Sequence, residues 1–323
     1  KETVEGGCLP DWEVADLPAP PPYHFGRAFR SILGPGIIAL GGSIGSGEWL
    51  LGPAITAQYG GRLLWIATIA ILLQVLLNTE AIRYTLYTGE PVFSGFMRCK
   101  PGSRFWAFFY VIADLGGIWP GWAATAATAI AAVWLGYMPQ AADGNTVRVF
   151  AYLIFFVCLA IVLFGGKIYN ALEKAELFMV IWIIGYLVLI DLFMVPPKVW
   201  WAIFKGFFSF GTLPKGEGGT DWLLLGAFAA YAGSGGLGNV TISNYVRDKG
   251  WGMSRLVGAI PSIIGGQRVT LSHIGKVFRI TPENLQRFRE WWKYNRFEQY
   301  YIWVVGCFIG MALPAMLTLA FVP

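Results

Sequence analysis

The chain carries 323 residues, 56% of them hydrophobic and only 13% charged, with a net charge of +5 and a mean hydropathy of +0.55. Soluble domains hold about 25% charged residues, so this composition excludes an ordinary soluble enzyme or a nucleic-acid-binding module. It points to an integral membrane protein whose surroundings are the lipid bilayer. Cys8, Cys99, Cys158 and Cys307 form no C-x-x-C pair, and His24 and His273 lie outside the apolar runs, which leaves no zinc or redox motif and no intramembrane histidine relay.

Residues 1–30, including LPAPPPYHF, read as a Pro-rich flexible tail. Apolar runs long enough to cross a bilayer, about 20 residues, follow near 31–58, 63–88, 105–136, 149–166, 171–195, 221–246 and 299–323. Backbone polar groups have no water partner in lipid, so these runs must be helices; they do not alternate as barrel strands would. Lys and Arg favour the cytoplasmic side. Arg27, Arg30, Arg98, Lys100, Arg104, Lys167, Lys174 and the basic segment Arg247 to Arg296 fall on one side, and Arg62, Arg148, Lys198, Lys205 and Lys215 on the other. This predicts a multi-pass protein of the plasma (inner) membrane with a cytoplasmic N-terminus. The chain stops in an apolar run just after Pro314, and so reads as truncated after helix 7.

The first span contains LGGSIGSGEW, residues 40–49, a glycine cluster followed by Glu48. In the second, Glu80 and Arg83 are spaced for an i, i+3 ion pair. Asp114 interrupts the third, next to Gly116, Gly117 and Pro120, and an acid inside a span is a functional candidate by default. Glu173, Lys174 and Glu176 open the fifth and read as solvated. The sixth contains YAGSGGLGNVT, residues 231–241, a second glycine cluster followed by Asn239. Matched, Gly-interrupted spans in two halves of a chain are the pattern of inverted-repeat transporters, whose unwound midplane segments form the substrate site. Close helix packing through small residues is the plainer explanation, but it does not require a buried Glu. Gly233 to Gly238 also matches G-x-G-x-x-G, and Asn239-Val-Thr241 matches a glycosylation acceptor. Both lie at membrane depth, outside the strand or loop context that either motif needs. In the long segment that follows, ITPENLQRFREWWKYNRF has Thr281 as N-cap and Pro282 at the first position. With Leu285, Phe288 and Trp292 on one face, it predicts an interfacial helix on the inner surface or an amphipathic helix packed on the loop.

The stretch GPGIIALGGSIGSGEWLLGPAITAQYGGRLLW resembles the opening of the Nramp family of proton-coupled divalent metal transporters. Gly34-Pro35-Gly36 matches its G-P-G, Tyr59-Gly60 through Leu63-Leu64-Trp65 its Y-G-x-x-L-L-W, Arg83 with Thr88-Gly89 its R-x-x-x-x-T-G, and Asp114-Leu115 the start of its D-L-A-E. The resemblance runs from about residue 34 to 120. It implies an all-α, LeuT-like inverted-repeat transporter fold with helices 1 and 6 broken. The organisation would then be a cytoplasmic tail over 1–30, a first five-helix repeat over 31–195, an extracellular loop over 196–220, and the start of the second repeat over 221–323 with a basic cytoplasmic loop at 247–298.

Departures fall on the family's metal ligands. Gly45 stands at the Asp of D-P-G-N, Ser46 at its Pro, Glu48 at its Asn and Gly117 at the D-L-A-E glutamate, while glycines replace the sixth-helix Met and His. Loss of the thioether favours a hard divalent cation held by oxygen. The expected site comprises Gly45, Ser46, Glu48, Gly233 and Asn239, with Glu48, the Gly45 carbonyl and Asn239 as metal ligands and Asp114 as a proton-pathway candidate. The expected function is secondary transport of a divalent cation, with proton coupling through Asp114 or Glu48 left open. A symporter of a small organic solute on the same fold is the alternative. The cation is cargo; neither a cofactor nor an enzymatic constellation is expected, and oligomeric state is left open.

Overall fold

The computed structural model describes residues 2–21, 33–115, 121–163, 167–213, 220–260 and 274–322. Two short strands come first, β1 (Thr3–Val4) and β2 (Trp12–Ala15). The first apolar run is one unbroken helical path: α1 (Pro35–Ser43), a π-helical run over Ile44–Leu51, and α2 (Gly52–Tyr59). The expected break in helix 1 is therefore not there. The glycines widen the helix instead of unwinding it.

A short turn leads to α3 (Trp65–Thr88), which ends where Gly89 adopts φ +71° and its N–H donates to the Thr85 carbonyl. Then come α4 (Val92–Arg98), α5 (Ser103–Asp114), α6 (Gly121–Leu135), α7 (Gly144–Leu163), α8 (Ile168–Met194) and α9 (Pro197–Gly206). The third expected span is thus two helices, α5 and α6, flanking residues outside the described set. The segment 196–220, read as a loop, contains α9, whose Ile203 is fully buried.

The sixth span does break. α10 (Trp222–Tyr231) stops before Ala232–Gly236, and α11 (Leu237–Lys249) resumes. After β3 (Lys276–Phe278), α12 (Pro282–Phe297) starts as expected, with Thr281 Oγ1 accepting the Asn284 N–H at 3.2 Å. It then continues without interruption through a second π run, Glu298–Val304, into α13 (Val305–Phe321). The expected interfacial helix is thus the lower part of a single 40-residue helix, Pro282–Phe321. Its buried face carries Asn284, Trp291, Tyr294 and Asn295, whereas Leu285 is exposed.

Among the described residues, four helices are long and apolar enough to cross a membrane: Trp65–Thr88, Ala141–Leu163, Ile168–Met194 and Pro282–Phe321. The chain is mostly helical, as an all-α membrane protein is. Its core is built where α1, the first π run, α2, α3, α10, α11 and α13 meet, around fully buried Ile55, Ile71, Ile82, Phe228 and Trp303. By contrast α7 buries no residue, and Val133, Phe193 and Leu223 are each 86% exposed. Exposed apolar side chains on helices of this length suit lipid rather than water.

The tail is not loose over its described part. β1 pairs antiparallel with β2 (Thr3 opposite Glu13) and β2 pairs parallel with β3 (Val14 opposite Val277). Leu17 is fully buried. Side chains from the helices hold tail carbonyls in place of regular structure: Arg287 Nη1 donates to Leu17 O at 2.8 Å, Trp291 Nε1 to Pro18 O at 2.8 Å, and Arg98 Nη1 to Gly6 O at 2.7 Å and Pro10 O at 2.8 Å. Arg98 also stacks 4.0 Å from the Trp12 ring centre and pairs with buried Glu90.

Burial pulls the Glu90 carboxyl upward, but hydrogen bonds from Arg98 and the Gly275 N–H, together with the Arg98 charge, outweigh it and hold it below its ordinary value of 4.5. A depressed carboxylate contributes stability that is full above its unfolded value and is lost as pH falls through the folded one. Protection of residues 2–21 should therefore be flat from pH 7 to about 5 and decline below that. Arg98→Met should remove about 3–5 kcal/mol of local stability at pH 7, because it strands a buried charge. Hydrogen exchange corrected for its intrinsic pH dependence measures both; protection unchanged in Arg98→Met would show that the pair is not the tether.

The Glu80–Arg83 ion pair is present, as expected. Glu173 is not solvated as read: its two carboxylate oxygens accept from Lys249 Nζ at 2.7 and 2.9 Å in a half-buried pair.

Candidate cation site

The first π run and the break in the sixth span meet face to face. A π helix bonds i to i+5 and so inserts an extra residue per turn, a device frequent at functional sites. Glycines make it accessible here by lowering the preference for the α form. Gly47 has a second role. A β-carbon at this position would collide with the Tyr231 carbonyl, so only glycine lets the two backbones approach at the point where α10 ends. On the other side of the contact, Gly233, Gly235 and Gly236 take φ values of +106°, +66° and +50°, a left-handed path that ends the helix.

Glu48 sits in this contact with no exposed surface. Its Oε1 accepts the Gly233 N–H at 3.1 Å. Its Oε2 has no partner among the described residues. The Cys307 thiol, from α13, lies against both Glu48 and Ser43. Ser43 Oγ donates to the Ala39 carbonyl at 2.8 Å and lies 2.8 Å from Ser234 Oγ, which ties the end of α1 to the break.

Gln74, from the middle of α3, makes most of the side-chain hydrogen bonds that hold the broken segment. Its Oε1 accepts from the Ser234 N–H at 2.9 Å, the Gly235 N–H at 3.1 Å and Asn239 Nδ2 at 3.0 Å, and its Nε2 donates to the Ala232 carbonyl at 2.7 Å. Because Asn239 spends its amide nitrogen on Gln74, its Oδ1 is left unpartnered and buried. Among the described residues two buried oxygens, one of a carboxyl and one of an amide, therefore lack donors on either side of the break. Buried polar atoms are nearly always paired, and these two unpaired oxygens are the chemical signature of the site.

Of the expected residues, Glu48, Gly233 and Asn239 come together. Gly45 does not: it is exposed, and it lies inside the continuous π run and not in an unwound segment. The side chain of Ser46 lies outside the described residues, as does Gly117. Asp114 is exposed at the C-terminal end of α5, which packs on α4, and the structure does not bring it to Glu48. Among the described residues no three of His, Cys, Asp and Glu gather, so a cation here would rest on one carboxylate and neutral oxygens. Gln74, Ser43, Ser234 and Cys307 were not anticipated. The available signal was Gln74 itself, a lone amide in the apolar stretch IATIAILLQVLL.

Comparison with protein-family models, curated proteins and solved structures finds no match for this chain.

Proposed function

We propose that this protein is a secondary active transporter of a divalent cation, built on a LeuT-like inverted-repeat scaffold, with its substrate site between the first π run and the broken sixth span. The observation that carries the reading is Glu48: fully buried, tied by one oxygen to the N–H of Gly233 in the break, with its second oxygen free of any partner among the described residues. An ionised group inside a membrane span is costly and marks ion or substrate pathways. Carboxylate and amide oxygens suit Mg²⁺, Ca²⁺ or Mn²⁺ better than a thiophilic metal. Of the two acids considered for coupling to protons, Glu48 lies in this site and Asp114 does not. The Lys and Arg distribution supports a cytoplasmic N-terminal segment in the plasma (inner) membrane.

A small organic solute would need free backbone N–H groups for its carboxylate. Those of Gly233, Ser234 and Gly235 already donate to Glu48 and Gln74, which weighs against that reading. Uptake by the purified protein in liposomes separates the two. Saturable accumulation of Mg²⁺ or Mn²⁺ is expected. Accumulation of amino acids with no uptake of either ion would overturn the proposal.

A further inference from the structure

Each of the two π runs carries one fully buried glutamate: Glu48 in the first, Glu298 in the second. The second is unused by the site above. Glu298 Oε1 accepts the Gly34 N–H at 3.0 Å, at the start of α1, and its Cγ and Cδ lie against Gly36. Its Oε2 has no partner among the described residues.

The side chains around it share that condition. Asn78 Nδ2 donates to Gln299 Oε1 at 3.1 Å, and Asn295 Nδ2 reaches the Thr79 carbonyl at 3.5 Å. Both asparagine oxygens are left unpartnered, and both residues are fully buried. Residues 295, 298 and 299 stand at i, i+3 and i+4, on one face of the helix, and hydrogen bonds carry Asn295 and Gln299 to α3. Three oxygens without a donor, and one amide nitrogen without an acceptor, Gln299 Nε2, thus belong to one buried cluster. Each would forfeit roughly 1–3 kcal/mol if left unsatisfied.

Charge narrows the occupant. Lys249 acts on Glu298 through its charge, but Glu173 holds it by both oxygens, so that pair is neutral by itself. When ionised, Glu298 carries one negative charge that this pair does not neutralise. We infer that Glu298, Asn78 and Asn295 form a monovalent-cation site between α3 and the start of the second π run. A monovalent ion neutralises the carboxylate, whereas a divalent ion would leave a net positive charge buried in a low-dielectric surrounding. Hard oxygen donors suit an alkali ion.

This site is separate from the one at Glu48. Cys307 touches Glu48, and residues 298 and 307 of one helix lie about 13 Å apart along its axis. Between them Leu40 packs on Gly306, an apolar contact.

Thermal unfolding of the purified protein, free of divalent ions, tests the site in NaCl, KCl or N-methyl-D-glucamine chloride at constant ionic strength. Na⁺ or K⁺ should raise Tm relative to the organic cation, by about 5 °C at a hundred times Kd. Glu298→Gln should abolish the shift and Asn295→Leu should weaken the apparent affinity at least tenfold, the second variant serving if the first does not fold. Glu48→Gln should keep the whole shift, which makes the result independent of whether a divalent ion is the cargo. Equal Tm in all three salts, a Tm that responds to pH alone, or a full shift in Glu298→Gln or Asn295→Leu would each overturn the inference.

Discussion

Glu48→Gln should abolish divalent-cation uptake while leaving the protein at least as stable as the wild type. The two expectations follow from one fact. Glu48 is fully buried, makes one hydrogen bond through Oε1 to the Gly233 N–H, and keeps Oε2 without a donor among the described residues. A carboxylate held this way is a cost to the fold, because burial of an unpaired charge is disfavoured. Glutamine keeps the shape and an oxygen for Gly233, and removes the charge. Tm should hold or rise by roughly 2–4 °C, the equivalent of about 1 kcal/mol in a protein of this size class. Uptake should fall at least about 100-fold, the upper end of what even outer-shell changes cost at metal sites. Loss of activity with a gain in stability is the mark of a residue kept for function. A variant that transports normally would remove Glu48 from the site. One that unfolds would make it structural.

The sequence made part of this arrangement readable. An acid and an amide, each behind a glycine cluster in an apolar run, were visible as Glu48 and Asn239, and the break at Ala232–Gly236 followed from glycine density. What glycines do at each place was not readable. The same composition that ends α10 widens the first span into a π run, because the outcome turns on Gly47 lying against the Tyr231 carbonyl, a contact between residues far apart in the chain. For the same reason Gly45, equivalent by motif, ends on the exposed side of the helix.

Glu298 closes the segment expected to be a basic cytoplasmic loop, 247–298, yet it and Gln299 are fully buried inside one continuous helix. Their partners, Gly34 and Asn78, come from other spans. The Pro-rich tail was misread in the opposite direction. Its composition carries no periodic pattern, and its order over 2–21 comes from Arg98, Arg287 and Trp291 donating to its carbonyls.

Gln74→Leu should be among the most damaging single changes in the protein, although the side chain touches no candidate ligand except Asn239. The four hydrogen bonds of Gln74 satisfy the Ala232 carbonyl, the Ser234 and Gly235 N–H groups and the Asn239 amide. A broken helix frees just such groups, and lipid offers them nothing. Leucine has a similar volume, so the loss is one of pairing and not of packing. Removing one partner of a buried pair costs about 1–3 kcal/mol. With Ser234 and Gly235 half-buried, and water able to reach some of the four groups, the sum should be about 2–5 kcal/mol. Tm should fall by roughly 5–15 °C, and cation uptake should fall with it, since the break would no longer hold Gly233 against Glu48. Gln74→Glu distinguishes a clamp from a mere polar filler. It retains acceptors for Ser234, Gly235 and Asn239, loses only the donor to Ala232, and adds a negative charge near Glu48. The apo protein should therefore be destabilised by the like charges, and saturating Mg²⁺ should restore more of the lost Tm than it does in Gln74→Leu. If Gln74→Leu matched the wild type in both Tm and uptake, the broken segment would be held by the glycine backbone alone and the amide would have no part in it.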